Sequence, residues 1–254
     1  GAEVKGFKPG DRVIAFGGHG GFAEECAVDV ERLSPLPAGM DFEIGAAFVL
    51  TYCTSLHALK DIAALRAGET LLVLGAAGGV GIAAIEIAKT MGARVIAAAS
   101  SADKLDLCRQ VGADELINYT SENLRERVEA MTNKRGVDVV YDPVGGGYSE
   151  QALRVTAWRG RFLVIGFANG EIPKIPLNLA LLKERQILGV YWGDSVKHDP
   201  RGHLANVQQL VDWYAAGKIK PVISERVPLA GAAAAIGRMA NRQVKGKVVV
   251  LPEK

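Results

Sequence analysis

The chain has 254 residues, of which 49% are hydrophobic and 23% charged, and its formal net charge is +2. This composition supports one large or two modest folded domains and excludes a disordered chain, while the mixing of basic with acidic residues argues against nucleic-acid binding. No apolar run predicts a membrane span, because the longest, residues 44–50, stops at Thr51.

The first 46 residues read as short strands and turns. We predict strands over residues 12–16 and 22–28, separated by a glycine-rich loop at 17–21. Pro35 and Pro37 predict an irregular passage after them. Three cysteines without a CxxC pair make a disulfide framework improbable and favour a reducing, cytoplasmic location.

From residue 70 onwards, apolar strands alternate with helices. We predict strands at 70–74, 93–99, 115–118, 137–141, 161–165 and 186–192, with helices at 80–91, 102–111, 122–131 and 148–157. Such alternation predicts right-handed crossovers and one parallel sheet covered on both faces. The tail predicts helices at 204–216 and 231–239, and strands near Val222 and at 247–251.

A glycine-rich turn lies where the first of these strands meets its helix, in the stretch LLVLGAAGGVG at 71–81. Gly78 allows the backbone to approach a pyrophosphate, and Gly81 allows the helix to pack closely on the strand. The helix that begins near Gly79 offers N–H groups and a positive dipole end to phosphate. The turn therefore predicts a dinucleotide site, although Ala76 replaces the first glycine of the usual fingerprint.

The end of the second strand indicates which dinucleotide binds. NAD-specific sites place a carboxylate there for the ribose hydroxyls, whereas this strand ends in Ser100 and Ser101. Lys104 follows within one helical turn, and an ammonium group with a small hydroxyl suits a 2′-phosphate. We therefore predict NADPH, with a solvated surface lysine as the alternative reading of Lys104.

Eight stretches, in order, resemble the zinc-independent quinone oxidoreductase (ζ-crystallin-like) branch of the medium-chain dehydrogenase/reductase superfamily. They are GFKPGDRV (6–13), GGFAEE (20–25), LTYCTSLHAL (50–59), LLVLGAAGGVG (71–81), GADELINY (112–119), GVDVVYDPVGG (136–146), GRFLVIGF (160–167) and GKVVV (246–250). The resemblance implies an α/β fold, in which a doubly wound Rossmann sheet is inserted in a GroES-like, β-rich catalytic domain.

On this view residues 1–46 and 194–254 form the catalytic domain, and residues 47–193 the NADP-binding domain. Family members carry a further stretch of the catalytic domain before the GFKPGDRV motif. We therefore expect this domain to be incomplete at its N-terminal end, and we assign no pocket residues to the part that precedes the motif.

The resemblance also implies roles for single residues. Thr54 would contact the cofactor near its nicotinamide end. The residues implied for the phosphates are Gly78, Gly79 and Val80 at the pyrophosphate, and Ser100, Lys104, Tyr119 and Arg242 around the 2′-phosphate. The residues implied at the ends of the fourth and fifth strands are Asp142, Val144 and Gly145, and Gly166, Phe167 and Ala168 on the nicotinamide side.

A metal site is not expected. The zinc enzymes of this superfamily have a cysteine-rich lobe after the GDRV strand, and here only a cysteine-free glycine loop follows. Their cysteine ligand would correspond to Leu50, and neighbouring Cys53 is out of register and reads as a buried small residue. His19 and His57 lack metal-like spacing with carboxylates or cysteines.

These observations predict an NADPH-dependent reduction of quinones or similar electron-poor acceptors, whose oxygens can take protons from water. Two alternatives remain: an enone or enoyl-thioester reductase on the same scaffold, and a non-catalytic NADPH-binding protein. The apolar sixth strand, 186–192, predicts a homodimer joined edge to edge, with an edge covered by the chain's own tail as the alternative.

Overall fold

The structure, a computed structural model, describes residue 1 and residues 3–252. Its first elements are β1 (Val13–Ala15) and β2 (Leu33–Pro35), which pair antiparallel. The predicted strand at 22–28 is wrong, because those residues form no ladder and β1 pairs instead with β2. The passage around Pro35 is correspondingly more regular than predicted.

A helix that the sequence analysis did not predict follows. Helix α1 (Phe42–Leu56) continues into a π-helical segment, His57–Ile62. Contrary to our expectation from the sequence, this continuous helix is long and apolar enough to cross a membrane by length and composition alone. However, 56% of its most apolar window is buried inside the protein, and the core helix of a folded domain passes the same test.

Six parallel strands then form the main sheet. The elements in chain order are β3 (Thr70–Val73), α2 (Gly79–Thr90), β4 (Arg94–Ala99), α3 (Ala102–Gln110), β5 (Glu115–Asn118), α4 (Leu124–Met131), β6 (Val137–Asp142), α5 (Gly147–Arg154), β7 (Thr156–Val164), α6 (Asn178–Leu181) and β8 (Gln186–Gly189). The strand order is β5-β4-β3-β6-β7-β8, with parallel pairing throughout. This is the Rossmann order, so the predicted doubly wound sheet is confirmed.

Two predicted boundaries in the sheet shift. The helix predicted at 148–157 ends at Arg154, and β7 already begins at Thr156. The strand predicted at 186–192 ends at Gly189, since Trp192 begins helix α7 (Trp192–His198). Helix α8 (Pro200–Ala215) follows, and its first turn is capped by the Asp199 carboxylate, which accepts from the Gly202 N–H at 2.9 Å.

The C-terminal part of the chain forms a second small sheet, and the chain as a whole divides into two compact units. Strands β9 (Ile223–Pro228) and β10 (Lys247–Leu251) pair parallel, and helix α9 (Ala232–Ala240) lies between them in sequence. One unit comprises residues 1–49 and 221–254, and the other residues 50–220. The second limit lies later than the 193/194 limit of our domain prediction, because α8 is bound to the larger unit.

Side-chain contacts account for this placement of α8. The Lys60 ammonium donates to Asn206 at 2.8 Å and to Gln209 at 2.7 Å. At the end of the same unit, the Lys220 N–H donates to the Glu86 carboxylate at 3.0 Å. The segment 194–220 is thereby tied to α2 and to the π-helical segment.

Glu86 is a buried carboxyl group in the interior of α2. Its side chain is 8% exposed and accepts the Tyr52 hydroxyl at 2.5 Å as well as the Lys220 N–H. Burial disfavours the charged form and raises the pKa of Glu86 to about 7. The stability that this group contributes is therefore fully present below its unfolded pKa, near 4.5, and is lost as pH rises through about 7.

We expect Glu86→Gln to remove this dependence, because the amide keeps an acceptor for Tyr52 but carries no charge. Between pH 5 and pH 8 the unmodified chain should lose about 2.5 kcal/mol of stability relative to the variant. Urea midpoints of both proteins at the two pH values measure the difference. Parallel pH profiles would show that the carboxyl group is not the source.

Candidate functional site

The glycine turn after β3 lies at the carboxyl edge of the sheet, where the strand order reverses between β3 and β6. The Ala76 N–H donates to the Ala98 carbonyl at 3.1 Å, which fixes the turn against the end of β4. A Cβ at Gly81 would lie 2.6 Å from the Ala76 carbonyl oxygen, so α2 packs on the turn at a distance that only glycine allows. Ligands of open α/β sheets bind at this reversal point.

Sequence reasoning missed one residue of this turn. Gly75 has φ +56°, and a Cβ there would lie 2.8 Å from a methyl group of Val144. Gly75 thus lets the turn after β3 approach the loop after β6. The regular spacing of Gly75, Gly78 and Gly81 could have identified this residue in the sequence. It makes Gly75, one residue before Ala76, the first glycine of the turn.

The N-terminus of α2 has the features of an anion site. Its N-cap is Gly78, no side chain caps it, and its first turn holds no acidic residue. Gly78, Gly79 and Val80 are half-buried and so remain accessible. A Cβ at Gly78 would meet only the Gly75 carbonyl oxygen, at 3.3 Å, and otherwise face open space. These residues fit a pyrophosphate held by backbone N–H groups and the helix dipole.

Three of the four residues predicted for the 2′-phosphate, Ser100, Lys104 and Tyr119, lie at or just after the ends of β4 and β5. The Lys104 ammonium donates to the Ser100 hydroxyl oxygen at 3.0 Å. Tyr119 follows Asn118, which pairs with Ala99, and the Tyr119 N–H donates to the Ala99 carbonyl at 3.1 Å. The geometry therefore pairs a cation with a hydroxyl group after β4 and places the backbone of Tyr119 next to the end of that strand.

The ring of Tyr119 is held in place by a second tyrosine. Its centroid lies 4.5 Å from that of Tyr148, at an interplanar angle of 41°. This contact joins the loop after β5 to helix α5, whose first turn contains Tyr148. The position of Tyr119 is thus fixed by packing as well as by its backbone bond to β4.

Asp142, at the end of β6, is committed to local hydrogen bonds. It is 3% exposed and accepts from the N–H groups of Val144 and Gly145 at 2.8 and 3.0 Å, and from the Ser149 hydroxyl at 2.5 Å. The carboxylate therefore shapes the loop after β6. Its predicted place in the cofactor site stays a prediction.

The loops after β6 and β7 pack on each other. The Ala168 N–H donates to the Pro143 carbonyl at 3.0 Å, and a Cβ at Gly145 would lie 3.0 Å from the Phe167 ring. Gly166 is half-buried, whereas Phe167 and Ala168 are exposed. The structure brings these two predicted loops together beside the glycine turn, and their contact with a nicotinamide stays a prediction.

Thr54 and Arg242 lie in different units. Thr54 is half-buried on α1, next to Ser55, whose hydroxyl donates to the Val80 carbonyl in the first turn of α2. Arg242 follows α9 in the smaller unit and has φ +59°. Its predicted share in the phosphate pocket stays a prediction.

The positions weighed for zinc have other surroundings. Cys53 is buried, and burial raises the pKa of its thiol to about 12. His57 pairs with Asp61 at 2.9 Å, and Leu50 is an exposed apolar residue on α1. Among residue 1 and residues 3–252, no three His, Cys, Asp or Glu side chains converge as metal ligands.

Comparison with known proteins provides evidence that is independent of the site geometry. Residues 79–212 match the family model described as zinc-binding dehydrogenase. The chain is 38% identical to the quinone oxidoreductase-like protein 2 homolog of Nematostella vectensis over 98% of its own length and 69% of that protein. It is also 38% identical to the quinone oxidoreductase of Pseudomonas aeruginosa, over 99% of its length and 78% of that protein.

A solved structure shows the same fold. The Escherichia coli quinone oxidoreductase, complexed with NADPH, aligns with a TM-score of 0.90 and 28% identity. The alignment covers 99% of this chain and 78% of that one.

Proposed function

The chain belongs to the quinone oxidoreductase branch of the medium-chain dehydrogenase/reductase superfamily, and on that premise we propose that it uses NADPH to reduce quinones or similar electron-poor acceptors without zinc. One observation carries the choice of cofactor. At the end of β4, the Lys104 ammonium and the Ser100 hydroxyl stand where a carboxylate would bind the ribose of NAD. A 2′-phosphate gains a charge-assisted contact there.

Each group of residues then has a distinct task. The N–H groups at the start of α2 hold the pyrophosphate, Ser100 and Lys104 hold the 2′-phosphate, and Thr54 orients the nicotinamide end. When bound, NADPH supplies the hydride, and the protein supplies binding and orientation. A quinone collects its protons from water, so this reaction requires no acidic side chain beside the acceptor.

Turnover assays with two acceptors test the proposal. We expect NADPH oxidation with 9,10-phenanthrenequinone and little with crotonyl thioester, in the presence and absence of EDTA. Faster turnover with the thioester would instead indicate an enoyl reductase. Tight NADPH binding with neither turnover would indicate a non-catalytic binding protein, and loss of activity with EDTA would contradict the zinc-independent reaction.

The proposal includes a homodimer joined through β8. Exposed apolar side chains lie on this strand and just after it in sequence: Ile187 is 39% exposed and Tyr191 is 73% exposed. The Val190 N–H donates inward to the Val164 carbonyl at 3.0 Å. Because strand residues alternate, the N–H groups of Ile187 and Gly189 point outward and are available to a second copy.

We therefore expect Ile187→Pro to convert a dimer to a monomer, because proline removes an outward donor from the edge. Light scattering at micromolar concentration measures the mass. Ile187→Ala keeps the N–H and serves as the matched control, which should remain dimeric. A monomeric unmodified chain, or a dimeric Ile187→Pro variant, would contradict pairing through this edge.

A further inference from the structure

Ser55 is a fully buried hydroxyl residue on α1, immediately after Thr54. Its Oγ lies 3.0 Å from the Val80 carbonyl oxygen and 2.9 Å from the Tyr141 hydroxyl. Val80 lies in the first turn of α2, and Tyr141 lies in β6, where its side chain is 0% exposed. Ser55, which lies on the same helix as Thr54, therefore contacts both the first turn of α2 and strand β6 of the sheet.

The direction of these hydrogen bonds follows from the groups present. A carbonyl oxygen only accepts, so the single Ser55 proton goes to Val80. The bond between the two hydroxyl groups must then be donated by Tyr141. Burial raises the pKa of Tyr141, so this phenol keeps its proton at any working pH. The result is a fixed chain of donors, Tyr141 to Ser55 to Val80.

This chain links the two ends of the predicted cofactor site. The N–H of Val80 belongs to the predicted pyrophosphate cradle, and its carbonyl is held by Ser55. Thr54, one residue away along α1, is predicted to contact the nicotinamide end. A change in the Ser55 contact would therefore shift Thr54 relative to the phosphates.

We propose that Ser55, oriented by Tyr141, is a positioning residue that sets Thr54 against the pyrophosphate turn and so aligns the nicotinamide end of NADPH. This inference rests on the proposed function, since it concerns how the same site holds the same cofactor. It predicts that Ser55 affects ligands that reach the nicotinamide end and spares ligands that occupy only the adenine end.

A matched buried hydroxyl group separates positioning from stability. Thr156 is also 0% exposed, and its hydroxyl donates to the Ala152 carbonyl at 3.0 Å, on α5 and away from the turn. Thr156→Val removes a comparable bond without touching α1 or α2. A general loss of stability would appear in this control as well as in Ser55→Ala.

The experiment measures two dissociation constants by calorimetry for the full chain and its variants. One ligand is NADPH, and the other is adenosine 2′,5′-bisphosphate, which lacks the nicotinamide. We expect Ser55→Ala to weaken NADPH about tenfold and the bisphosphate less than about twofold. Tyr141→Phe, which keeps the ring and leaves the Ser55 bond to Val80 possible, should show a smaller loss of the same kind.

Several outcomes would overturn the inference. Equal weakening of both ligands by Ser55→Ala, no weakening of either, or the same loss in Thr156→Val would each do so. If Ser55→Ala does not fold, an unchanged NADPH constant for Tyr141→Phe would overturn it. An unmodified chain that fails to bind NADPH would instead overturn the proposed function, and this inference with it.

Discussion

Replacing Gly78 by valine is expected to raise the dissociation constant for NADPH by about 100-fold or more. The branched side chain would project into the open space where the pyrophosphate approaches the α2 N-terminus. The fold should tolerate it, because Gly78 has φ −77°, which any residue adopts, and a Cβ there meets only one carbonyl oxygen, at 3.3 Å. Loss of the glycine N-cap should cost about 1 kcal/mol of stability.

Gly81→Val provides the contrasting variant. Its Cβ would lie 2.6 Å from the Ala76 carbonyl oxygen, so the backbone itself must shift. We expect this change to cost about 3 kcal/mol or more in stability. Fluorescence titration with NADPH and thermal melting without it measure the two effects separately. Normal NADPH binding by Gly78→Val would mean that the phosphates do not lie at this turn.

Replacing Lys104 by alanine is expected to weaken NADPH binding about 10- to 100-fold and to leave NADH binding nearly unchanged. The lost charge-assisted contact with a 2′-phosphate is worth about 1.5–3 kcal/mol, and NADH has no phosphate there. The unmodified chain should accordingly prefer NADPH. Titration of both cofactors against both proteins measures this preference.

Lys89→Ala is the matched control for that change. Lys89 pairs with Asp114 at 2.8 Å, beside the amino end of β5 and therefore at the opposite edge of the sheet from Ser100. It removes the same charge without touching the predicted phosphate pocket. Equal affinities of the unmodified chain for NADPH and NADH, or equal losses in the two lysine variants, would refute the role of Lys104.

The Rossmann strands could be predicted because each contains a short apolar stretch between turn residues, most clearly in β3 (TLLV) and β4 (RVIAAA). The predicted limits of β5 and β10 agree with the structure. Helix α1 was missed because it is apolar on most sides, which hides the one-sided stripe by which a helix is recognised. The strand at 22–28 was wrong because a strand pattern does not specify a partner, and β1 pairs with residues 33–35 instead.

Some features of the candidate site could likewise be predicted from the sequence, and others could not. The glycine spacing and the replacement of a carboxylate by Ser100 and Lys104 are local features, and both could be recognised in the sequence. The contact of Gly75 with Val144 could not be predicted from the sequence, because it joins two loops that meet only in the folded sheet.

The sequence by itself determined the alternation of strands and helices in the Rossmann sheet and the glycine turn after β3, because each depends on residues adjacent along the chain. The same local reading predicted the 2′-phosphate pocket. Only the tertiary structure decided that the Asp142 carboxylate accepts hydrogen bonds from Val144, Gly145 and Ser149. It also decided that Ser55 bridges Val80 and Tyr141. Ser55 is 25 residues from Val80 and 86 from Tyr141. Parallel crossovers bring such distant side chains together, and local periodicity carries no record of which of them will meet.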